Sequence, residues 1–174
     1  MSDIDFRYFP YLISDIVSDV RSEYDPANGL KPAFEFGTYL ELLKRLSIKD
    51  RNISAGKVDV KYPLIWLIWG DGENKETWIE ECMYEISPKL FICDLTNNNA
   101  STSTKYTSPI TDILYPILEL FTTKLKCHKN VSIDESKFRT DRTVHPYWLN
   151  QNEGVTFDPL SAIELKLNNL LMLK

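Results

Sequence analysis

The chain has 174 residues, 43% of them hydrophobic and 26% charged, with 25 acidic and 20 basic side chains and a net charge of −5. This length predicts a single domain, residues 1–174, with one buried core. The acidic balance argues against a protein that grips nucleic acid by neutralising phosphates, and the longest apolar run, Pro63 to Trp69, is too short to cross a bilayer as a helix.

Phe9, Leu12, Ile13, Ile16, Val17, Val20 and Tyr24 fall at helical spacing, with Ser14, Asp15, Ser18, Asp19 and Arg21 between them. The pattern predicts an amphipathic helix over residues 8–24, with Pro10 in its first turn. Asp25-Pro26 and Asn28-Gly29 are its stop signals. Ala33 to Gly37 reads as a short strand. Tyr39 to Leu46 is a short helix or a second strand; Leu40, Leu43 and Leu46, repeating every third residue, favour the helix. Lys49 to Gly56 is polar and turn-like.

Tyr62 to Trp69 suits a strand covered on both faces, with Pro63 at its start. Residues 78–87 read as strand, and residues 89–95 as another. Thr96 to Thr104 is small, polar and aperiodic, which predicts a loop or arm over 96–107. Ser108-Pro109 predicts the start of a second long helix. Its buried stripe is Ile110, Ile113, Leu114, Ile117, Leu118, Phe121 and Leu125, and Pro116 should bend it. Residues 130–158 read as an irregular extension. Leu160 to Leu173 alternates like a strand, with Asn168-Asn169 as a break. The sum is an α+β fold: a mixed or antiparallel sheet of four to six strands with two long helices packed on one face.

No glycine-rich phosphate loop is present, and neither His128 nor His145 stands near a nucleophile-elbow sequence. Cys82, Cys93, Cys127, His128 and His145 lack the paired spacing of a zinc site. Buried free thiols, made in a reducing compartment, are the simpler reading of the three cysteines. The first residues, Met1 to Asp5, are acidic, unlike the basic start of a signal peptide. Asp71 to Glu76 lacks the glycine of a calcium loop and carries Lys75 where a ligand belongs. The expectation is therefore a protein that is not an enzyme and needs no cofactor or metal. An enzyme would have to bring Asp94, His128 or His145 together with a nucleophile or metal in a deep pocket.

Charge is distributed unevenly. Residues 1–26 hold six acids, including Asp15, Asp19 and Glu23 at helical spacing, against Arg7 and Arg21. Residues 124–142 hold six bases, Lys124, Lys126, Lys129, Lys137, Arg139 and Arg142, against three acids. Unlike patches can meet head-to-tail in a ring, or they can neutralise each other within one protomer or simply face water. Asn97, Asn98 and Asn99 of the polar arm complete the candidate interface.

Four segments resemble a known class in their order and spacing: Tyr62 to Leu67, Ile113 to Leu118, His145 to Trp148, and Phe157 to Leu165. They are similar to small virion proteins of tailed bacteriophages that infect Bacteroidetes, the crAss-like phages among them, and more widely to tail-completion, tail-terminator or head–tail connector proteins. The resemblance implies a compact subunit with two helices against a sheet and no active site. It implies a homo-oligomeric ring in the virion tail or neck, assembled in the host cytoplasm and touching portal, tail or neighbouring ring proteins. Neither sequence-specific nucleic-acid contact nor a membrane enters that picture. The arm at 96–107 matches nothing in the class and would reach a neighbour. The other reading is a monomeric, phage-encoded binding module acting on a host protein.

Overall fold

The computed structural model describes residues 8–26, 30–56, 60–69, 76–80, 83–96, 106–134, 136, 138–144 and 160–173. Helix α1 spans Tyr8–Glu23, strand β1 Ala33–Gly37, helix α2 Tyr39–Ser54 and strand β2 Leu64–Ile68. Strands β3 (Glu76–Glu80), β4 (Met83–Ile86) and β5 (Lys89–Leu95) follow. Helix α3 has wide π-type turns over Tyr106–Leu114 and regular α-helix over Tyr115–Cys127. Strands β6 (Val131–Ser132), β7 (Phe138–Val144), β8 (Leu160–Leu167) and β9 (Leu170–Leu173) complete the order.

The fold is α+β. Five strands form a mixed sheet in the order β1-β2-β5-β8-β7, with only the β1–β2 pair parallel among the described residues. Because side chains alternate across a strand, β1, β2, β5 and β8 each feed two cores. Ile65, Leu67, Leu90, Ile92, Ile163 and Leu165 point to one face and pack with α1 and α3. The two long helices thus share one face, as the sequence predicted. Leu64, Trp66, Phe91, Cys93 and Ala162 point to the other face, where Leu42, Leu43 and Leu46 of α2 cover them.

That third helix is longer than expected. Thr38 begins it with a capping box: its side chain accepts from the Glu41 N–H at 3.3 Å, and the Glu41 carboxylate accepts from the Thr38 N–H at 2.8 Å. The Thr38 N–H bond holds the Glu41 carboxyl below the usual carboxylate range, with Lys44 and Arg45 adding to the effect. Gly37 just before the cap has φ +136°, a conformation that favours glycine, and a Cβ there would displace the Glu41 carboxylate, 2.5 Å away, from the cap. The polar residues 49–54 continue the helix instead of forming a turn. Leu40 faces solvent, and Leu42 takes its place in the buried stripe.

A second, antiparallel sheet, β3-β4-β9-β6, was not foreseen. Residues 78–87 fall on the β3–β4 hairpin rather than one strand, and two strands, β6 and β7, occupy part of the segment read as irregular. Two strand pairs pass between the sheets at one place. β5 pairs with β8 in the first sheet and β4 with β9 in the second. At the crossing, the Leu167 N–H donates to the Pro88 carbonyl at 3.2 Å and the Asn169 N–H to Ser87 Oγ at 3.1 Å. Asn169 takes the left-handed conformation, φ 56°, which asparagine tolerates better than most residues. The predicted break at Asn168-Asn169 is therefore a change of sheet.

Helix α3 begins at Tyr106, two residues before Ser108, so Ser108 is not its cap. Pro116 lies at the start of the regular α-helical part. A proline ring inside a regular helix would strike the carbonyl four residues back; the wide turns before it relieve that clash. Residues 97–105, Asp71 to Lys75, Cys82 and 145–159 lie outside the described residues.

Candidate interaction surfaces

The acidic stripe of α1 is real. Asp15, Asp19 and Glu23 are all exposed, because the opposite side of the helix is committed to the core. Of the basic residues of 124–142, the side chains of Lys124, Lys126, Lys129 and Arg139 are described. Lys124 pairs with Glu23 inside the same chain. That hydrogen bond is the main reason the Lys124 ammonium is held above its ordinary value, opposed by burial and aided by the charges of Glu23 and Asp19. Lys126 lies over the Phe138 ring, 5.4 Å from its centroid. Lys129 is exposed in the turn after α3, and Arg139 is exposed on β7. Arg142 holds the β7 position opposite Ile163. Asn97, Asn98 and Asn99 lie outside the described residues.

The ends of the five-stranded sheet are guarded. At the β1 edge, Glu35 accepts from Arg45 at 2.9 Å and pairs with Lys49 at 3.1 Å, and the Arg45 guanidinium sits 5.5 Å from the Phe36 ring centroid. These contacts clasp α2 onto β1. At the β7 edge, Asp141 accepts from Lys166 at 2.9 Å, and Lys166 also pairs with Glu164 at 3.3 Å. The Lys166 bond holds the Asp141 carboxyl below its usual range. The exposed charges of the β7 edge disfavour strand addition by another chain.

Of the groups singled out for chemistry, Asp94, His128, Cys93 and Cys127 are described, while His145 and Cys82 lie outside the described residues. His128 follows the end of α3, and its Nδ1 accepts from the Asn130 N–H at 3.3 Å, a local turn contact. Asp94, at the end of β5, accepts from the Leu95 N–H at 2.8 Å. Burial raises its carboxyl above the usual range, against that hydrogen bond. The buried Tyr24 phenol is raised by burial and then by Asp94. Cys93 is buried and its thiol is pushed far up, by burial first and by Asp94 second. Cys127, expected to be buried, is exposed: it is the last residue of α3, beyond the core. Among the described residues no three His, Cys, Asp or Glu side chains are arranged to hold a metal ion, and no helix is long and apolar enough to cross a membrane.

One surface was missed from the sequence. The outer side of α2 carries Leu40, Lys44, Ser47, Ile48 and Arg51, all exposed. The signal that could have revealed it is Thr38-Tyr39-Leu40-Glu41, the S/T-x-x-E pattern that opens a helix. No protein-family model matches the chain, and no curated protein is significantly similar to it.

Proposed function

We propose that the chain is a structural subunit of a phage tail or neck, forming a ring that ends the tail or joins it to the portal and head region. The reading rests on the resemblance of four segments to that class. The observation that carries it furthest is the layout: α1 and α3 packed on one face of a mixed sheet, the arrangement the resemblance implies. In this reading the protein works by docking and performs no reaction. Mass spectrometry of purified particles tests it. The chain should be present in a fixed multiple of copies per particle; its absence from particles that hold the other tail proteins would refute the assignment.

A second reading, a monomeric module that binds a host protein, draws support from the Lys124–Glu23 pair, which neutralises within one protomer part of the charge that a ring would oppose between protomers. That reading expects a host protein in pull-downs and no chain in the particle.

A further inference from the structure

We infer that the outer face of α2 is one half of a contact between copies of this chain, and that the outer face of α1 on the next copy is the other half. The inference rests on the ring reading above and names the surfaces that would build it.

A head-to-tail ring needs two different, complementary patches on different sides of one subunit. The basic residues near the end of α3 are poorly placed for this. Lys124 is bonded to Glu23 of α1, so that charge sits beside the acidic stripe and not across the molecule from it. The sheet edges are guarded by charges and by the Arg45 clasp.

The two outer helix faces meet the requirement. α1 and α2 pack on opposite faces of the same sheet, so their outer sides look in different directions. The α1 face presents Tyr11, 61% exposed, with Asp15, Ser18, Asp19 and Ser22. The α2 face presents Leu40 and Ile48, 60% and 49% exposed, with Lys44 and Arg51. One side is acidic with an aromatic ring, and the other is cationic with two aliphatic side chains. Glu41, the acid near the start of the α2 face, is tied to the Thr38 cap. Both helices have 16 residues, about 24 Å each, so the faces also match in length. A second copy is therefore the occupant that the charges and dimensions fit.

Sedimentation velocity on the full chain over a range of concentrations and salt tests this. The wild-type chain should associate, less tightly as salt rises. K44E/R51E and D15K/D19K should each weaken association by about tenfold or more, since each places like charges together. The chain carrying all four changes should recover most of the loss. If a reversed chain loses its helical circular dichroism, Leu40→Ser with Ile48→Ser replaces it and should also weaken association. A wild-type chain that assembles while the reversed or serine chains assemble equally well would overturn the helix contact and leave the ring reading standing. Failure of the fourfold chain to recover would overturn the charge pairing. A wild-type chain that stays a single protomer under every condition would overturn both.

Discussion

The two faces of the five-stranded sheet are built differently. On one, α1, α3 and part of the second sheet enclose an aliphatic core with Phe9 and Phe121 fully buried. On the other, α2 with Val60 and Tyr62 packs against a smaller cluster in which Trp66 and Phe91 stack at 5.5 Å. There β8 carries Glu164 and Lys166 beyond Leu160 and Ala162, and β7 carries Arg139 and Asp141. Among the described residues the first face encloses the larger buried cluster, and on the second a cap, a clasp and a few leucines hold α2 against the smaller one.

Mutation should expose that contrast. Phe121→Ala, in the larger core, should cost about 3–5 kcal/mol in a chemical denaturation curve. Leu46→Ala, under α2, should cost about 2 kcal/mol, at the low end for a buried leucine, because the smaller cluster can close over the gap. A Leu46 loss equal to that of Phe121 would mean that the two faces are equally essential. Thr38→Ala, which removes the capping hydroxyl, should cost about 1 kcal/mol and raise amide exchange in the first turn of α2 while α1 stays protected.

The smallest effect concerns Asp94. Burial holds its carboxyl above the usual range, so the folded state favours the protonated form. The resulting penalty is absent at low pH and complete once the group ionises in both states. Asp94→Asn should therefore stabilise the protein at neutral pH. The two stability curves should converge as pH falls below about 4, the ordinary aspartate range. A variant that is less stable than wild type at pH 7 would show that the ionised carboxylate has a partner worth more than its burial.

Much of the larger face was legible in the sequence. The α1 stripe, β1, β5 and the break at Asn168-Asn169 follow from strong helical or alternating patterns with clear breakers. The smaller face was harder to read. Helix α2 depends on a cap and on polar residues, Lys49 to Ser54, that have no turn-to-turn apolar repeat. Strand β7, Phe-Arg-Thr-Asp-Arg-Thr-Val, lies at an edge, and its charges mask the two-residue period. The same causes shaped the reading of the surface. The acids of α1 lie on one regular helix, so their spacing fixed their common face. The bases of 124–142 run through a helix, a turn and a strand, so their spacing in sequence fixes no common face, and Lys124 is bonded to Glu23 of α1.

In the proposed ring this chain joins copies of itself. Native mass spectrometry of the purified wild-type chain addresses that directly. A closed species with one fixed number of copies, persisting on dilution to micromolar protein, is what the account requires. Only a single protomer, at every concentration and also with the neighbouring virion proteins added, would contradict it.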